Sequence, residues 1–162
     1  MVDFDVLDAE DEFLNACDAA GVRGTTGIES RVFIPEFASR EINSPGEPGV
    51  CYHMGIGFTA SAVPTEAAPI LENLRQSAAQ RYHEMVSRIN VHLAPVSVDY
   101  QRDILPLTPA GNPTERHIVL AYVQAVERQT DSQTAFWASK LGSSEPEIKA
   151  LISDSAKFQN FV

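Results

Sequence analysis

The sequence predicts an α+β fold: a small antiparallel sheet with helices packed on one face and a C-terminal helical pair. Three observations lead there. Two strand-like segments, residues 31–37 and 50–60, lie in the first half of the chain. A 3.6-residue apolar periodicity then runs from about Thr65 to Ile89. Beyond Asn112 the chain reads as helix alone, in segments opened by capping signals. The order helix, two strands, long helix, one or two strands and then three helices fits a small antiparallel sheet with helices packed on one face.

Length and composition suit one domain over 1–162, with 129–162 as a helical C-terminal subregion. The chain has 162 residues, 44% apolar and 21% charged, close to the globular norm. No internal repeat or low-complexity tract interrupts it.

The first helix is expected over Asp8 to Ala20. Asp8 is placed to cap it, Glu10, Asp11 and Glu12 favour its positive end, and Gly21 stands where a left-handed residue closes a helix. Arg31 to Phe37 reads as strand around Val32, Phe33 and Ile34, ended by Pro35. Ser44 to Gly49 is the clearest loop, joining two strand-like flanks. In residues 50–60, Val50, Tyr52, Met54, Ile56 and Phe58 share one face, with Cys51, His53, Gly55 and Gly57 on the other.

The long helix carries Leu71, Leu74, Ala78, Tyr82, Met85 and Ile89 on one stripe, with Pro64 and Pro69 at its start. Val91 to Leu107 is expected as strand, broken at Pro95. Asn112-Pro-Thr-Glu115 is expected to open a nearly all-apolar, buried helix, with Asn112 as its cap. Two short helices then close the chain. The first, Asp131 to Leu141, ends at Gly142. The second starts at Ser144, with Glu147 completing a capping box.

Charge bounds the partners. The net charge is −10, and residues 1–49 hold eleven acids against Arg23, Arg31 and Arg40. Such a chain is repelled at long range by nucleic acid and anionic membrane. No apolar run reaches the ~18 residues of a membrane span. The acidic N-terminus is not that of a secretory signal. A cytoplasmic, intracellular protein is expected, free or incorporated into a virion or other assembly. Cys17 and Cys51 form no Cys-x-x-Cys motif. They are expected as small buried apolar residues, and no cysteine zinc site follows from them.

At the C-terminus, Ala138, Gly142, Ile148 and Leu151 have the spacing of two helices meeting at a tight turn, with Trp137 and Leu141 on the first apolar face. This stretch, Phe136–Ile152, resembles a helix-turn-helix, and its Trp-x-x-x-Leu-Gly-x-Ser pattern is similar to small bacterial helical domains. The resemblance implies a regulator that reads nucleic acid. Ser143 departs from the apolar residue usual at that place. The would-be recognition helix opens with Glu145, Pro146 and Glu147, where phosphate and base contacts call for Arg, Lys, Asn or Gln, and only Lys140, Lys149 and Lys157 are basic nearby.

The remaining constellations are thin. His53 and His92 fall on expected strands, the arrangement of two-histidine phosphoesterases. Gly55 and Ala94 stand where that family places hydroxyl residues. Cys51 and His53 lie two apart on one strand face, the spacing of a thiolate–imidazole pair. A small enzyme built on them is one alternative function, and a helix-turn-helix regulator is another. No metal-ligand spacing, cofactor motif or catalytic set is expected, and no cofactor.

The preferred expectation is a non-catalytic, oligomeric interaction or assembly protein. Its partner would be a second copy or a basic chain, met through Phe4, Leu7, Glu10, Asp11 and Glu12. Val2, Phe4, Val6 and Leu7 alternate at first with acids, a pattern a free tail does not need. The competing expectation is that this segment adds to its own domain as an edge strand.

Overall fold

A computed structural model describes residues 1–58, 62–108 and 111–162. The fold is α+β, with a three-stranded sheet and helices that dominate the C-terminal half. The residues group into two compact units, Met1–Ala78 and Ala79–Val162. The division falls within a long helix, far upstream of residue 129.

Unit 1 carries the sheet: β1 (Asp3–Phe4), β2 (Thr26–Phe33) and β3 (Val50–Phe58), in the order β1-β2-β3. β2 and β3 are antiparallel, joined through the Ser44–Gly49 loop as expected. β1 pairs with β2 in parallel, so the sheet is mixed rather than wholly antiparallel. The cause is the helix α1 (Glu10–Ala19) between them, since a helical crossover returns the chain in the same direction. The N-terminal segment thus adds to its own unit as an edge strand. β2 starts at Thr26, five residues before the expected strand, and Pro35 ends it by opening a 3-10 turn, Pro35–Phe37. The expected continuation of β3 over Thr59 and Ala60 lies outside the described residues.

Asp8 does not cap α1. Ala9 holds that position, its N–H donating to Asp3 Oδ2 at 3.3 Å, and Asp8 takes a bidentate pair from Arg75 at 2.7 and 2.8 Å. Gly21 closes the helix as expected, at φ +66°, with N–H groups of Gly21 and Val22 donating to the carbonyls of Asp18 and Cys17.

A bulge interrupts the alternation of β3. Thr26 lies opposite Phe58 and Gly27 opposite Ile56, so Gly57 is the extra residue. Its φ of +102° is open to glycine and strained for any other residue. Past the bulge Phe58 leaves the face of Tyr52, Met54 and Ile56 and joins that of Ile28 and Thr26. The expectation of one continuous apolar face through Phe58 is corrected there.

The helix α2 (Ala68–His92) buries Ala78, Tyr82 and Val86 and half-buries Leu71, Leu74, Met85 and Ile89, the stripe the periodicity predicted. Unit 2 continues with α3 (Glu115–Gln129), α4 (Gln133–Leu141), α5 (Glu145–Ile152) and α6 (Ser155–Phe161). Three short helices close the chain where two were expected. α3 is buried along Ile118, Ala121, Tyr122, Ala125 and Val126. Its cap is Thr114 rather than Asn112. The Thr114 N–H donates to His117 Nδ1 at 3.0 Å, so His117 completes the capping box. The core of this unit gathers Tyr82, Ile104, Ile118, Trp137, Ile148 and Phe158. Trp137 meets Phe136 and Phe158 edge-to-face at 5.4 and 5.7 Å.

No strand forms over Val91–Leu107. The helix runs on to His92, an extended stretch follows, and Tyr100–Ile104 and Leu105–Leu107 coil into short π and 3-10 turns. The alternation itself was sound: Val96, Val98 and Tyr100 are buried, Ser97, Asp99 and Gln101 exposed. Side-chain amides supply the hydrogen bonds a neighbouring strand would give. Asn90 accepts from Val98 N–H at 2.8 Å and donates to Val98 O at 2.9 Å. Gln129 does the same at Ser97, at 3.1 and 2.9 Å. The backbone is satisfied without a sheet.

Candidate functional site

The sheet presents one face to α1 and leaves the other to solvent. Register and alternation put Phe4, Glu29, Arg31, Phe33, Tyr52, Met54 and Ile56 on that outer face. Ile56 is 73% exposed, Phe33 58% and Met54 52%. Single exposed apolar residues are ordinary, but a contiguous set on one sheet face is not. The Phe4 and Tyr52 rings lie 6.1 Å apart, and the Arg31 guanidinium sits 5.9 Å from the Tyr52 ring centroid. Arg31 pairs with Glu47, which also accepts from the Ser44 hydroxyl. The face combines these apolar side chains with the Arg31–Glu47 ion pair and the carboxylate of Glu29, inside a unit that carries thirteen Asp and Glu against four Arg.

β3 is also a sheet edge, and part of that edge is covered. Asn43, from the β2–β3 connection, accepts from Tyr52 N–H at 2.8 Å and donates to Tyr52 O at 3.1 Å. That amide occupies the place an added strand would take, a device against edge-to-edge pairing. The available surface is therefore the face of the sheet more than its rim.

The residues expected to meet a partner separate. Phe4 is half-buried on β1 and belongs to the outer face. Leu7 and Glu10 turn the other way, toward a cavity on the α1 side of the sheet. Glu10 is 2% exposed, and Thr26 Oγ1 donates to its Oε1. Asp11 and Glu12 are exposed on α1. The burial of Glu10 had no signal in the sequence, since its neighbours Asp11 and Glu12 have the same charge and stay outside.

Cys51 and His53 do share a strand face. Cys51 is a free, half-buried thiol whose Sγ lies 3.4 Å from the Tyr52 carbonyl, and His53 is exposed. Neither lines the cavity of this unit. His92 ends α2, so the second histidine-bearing strand of the phosphoesterase arrangement does not exist. Among the described residues no group of three His, Cys, Asp or Glu is placed to hold a metal ion, and no helix is long and apolar enough to cross a membrane.

Two short helices joined by a tight turn form over this stretch. Gly142 takes φ +67° at the end of α4, and Ser144 opens α5 with Glu147 as its capping partner, as predicted. The Ser144 N–H and hydroxyl hold the Glu147 carboxyl below the usual carboxylate range. The first turn of α5 thus carries two anionic side chains, Glu145 and Glu147. Lys140 is spent within its own unit, donating to His92 O at 2.9 Å.

No family model, no curated protein and no solved structure matches this chain.

Proposed function

We propose that this chain is a non-catalytic interaction or assembly protein that self-associates through the outer face of its sheet. The observation that supports it is the contiguous exposure of Phe33, Tyr52, Met54 and Ile56, joined by Phe4. Two such faces stacked about 10 Å apart would bury both apolar sets, as in sheet-on-sheet packing. The second copy is favoured because the β3 part of the face, Tyr52, Met54 and Ile56, carries no charge, so two copies stacked along β3 bring no like charges together there. Docking of a basic chain is the competing reading, favoured by the excess of acids in unit 1.

Native mass measurement across a concentration and salt series tests this. The expected result is a dimer that tightens as salt screens the acidic units, and that a Met54→Ser, Ile56→Ser double variant abolishes without lowering the melting temperature measured at concentrations where the wild type is itself monomeric. A monomer at every concentration, or a dimer indifferent to the double variant, overturns the proposal. Association with a basic protein that weakens with salt would replace the second copy with the basic partner.

A further inference from the structure

On the α1 side of the sheet, unit 1 carries a cavity of about 520 Å³ that opens to solvent, within the size range of small-molecule sites. Its walls are apolar: Leu7, Ile28, Phe58, Val63, Ile70 and Leu71 contribute to them. The charged side chain lining it is Glu10, held there because α1 packs its first turn against Thr26 of β2. Bulge residue Gly57 turns Phe58 into the same cavity.

A carboxylate has about four acceptor sites. Glu10 is 2% exposed, and among the described residues its side chain receives one hydrogen bond, from Thr26. No Lys, Arg or His lines the cavity among the described residues. Buried carboxylates are ordinarily paired with a cation or bonded several times over. A metal ion is a poor complement here, because one carboxylate among hydrocarbon walls offers no coordination shell. A carboxylate-bearing ligand would set two anions together. Unit 1, with thirteen acids against four Arg, attracts cations from a distance.

We propose that this cavity binds a small apolar amine as its ammonium ion, with Glu10 as counter-ion and the hydrocarbon walls receiving the ligand's body. The site lies on the opposite side of the sheet from the proposed dimer face and does not depend on it.

Calorimetric titration of the full chain near neutral pH with 4-phenylbutylamine, 4-phenylbutanol and 4-phenylbutanoic acid tests the proposal. The amine should bind more tightly than the alcohol, and the acid least. Glu10→Gln, which keeps an acceptor for Thr26, should weaken the amine at least about tenfold and leave the alcohol nearly unchanged. Ile70→Trp fills the cavity from an exposed position on α2 without touching Glu10, and should abolish binding of both. Absence of amine binding, an alcohol as tight as the amine, or an amine indifferent to either variant overturns the proposal.

Discussion

Among the described residues, the largest fully buried side chains of unit 2 are Trp137, Tyr82, Phe158, Ile104 and Ile118, while those of unit 1 are Glu10 and Thr26. Among the described residues the four buried polar or charged ones, Asp5, Glu10, Thr26 and Ser44, all lie in unit 1, and so do Phe33, Met54 and Ile56 on the exposed sheet face. Net charge follows the same division: unit 2 balances nine acids with eight bases, and unit 1 does not approach balance. The difference teaches where apolar burial, and with it stability, is concentrated. Apolar burial is the main favourable term in folding, and unit 2 completes it with its own residues. Unit 1 spends apolar side chains on a surface and a cavity wall and buries acids instead.

The sharpest test of this contrast is Trp137→Ala. Removing a fully buried indole wedged between Phe136 and Phe158 should cost about 3–5 kcal/mol. Thermal unfolding followed by circular dichroism reads the loss. A variant that melts with the wild type would break the comparison.

Alkaline pH sharpens it next. Tyr82, Tyr100 and Tyr122 all belong to unit 2, and burial pushes the phenol pKa of each upward. A raised folded pKa means the folded state holds the proton more tightly than the unfolded one. The stabilisation is complete below the unfolded value of about 10 and is lost as pH rises from there through the folded pKa. Each tyrosine that ionises only on unfolding removes at most about 1.4 kcal/mol per pH unit. Trp137 is the only tryptophan, so its fluorescence reports unit 2. Its denaturation midpoint in urea should fall steeply above that pH. A flat midpoint would show the phenols to be wet.

The smallest of these effects is expected at Gly142. No neighbouring atom lies within 4 Å of where a Cβ would sit, so Gly142→Val costs backbone strain alone, on the order of 1 kcal/mol. An unchanged melting temperature would mean that the turn between α4 and α5 relaxes out of the left-handed region.

Much of the helical half was legible in the sequence because its signals are local. The stripe from Leu71 to Ile89, the Ser144–Glu147 capping box and the Gly142 turn each depend on residues within a few positions of one another, and each formed. The misses share a cause. Val91–Leu107 alternates as a strand does, yet its hydrogen bonds go to Asn90 and Gln129, and period two reports which side chains are buried, not what the backbone pairs with. Asp8 has the chemistry of a cap but is taken by Arg75, a residue 67 positions away. The parallel β1 was visible only as a suspicion about Phe4 and Leu7.

Sequence alone determined the acidic character of the first half of the chain, the helices beyond Asn112 and the α+β class, because these depend on residue type and short-range period. Only the tertiary structure decided that Glu10 turns inward while Asp11 and Glu12 stay in water, and that Met54 and Ile56 share a face with Phe33 and remain uncovered. Those facts depend on strand register, on the bulge at Gly57 and on which side of the sheet α1 packs. They are long-range choices, made by competition among surfaces for burial, and no local run of residues encodes them.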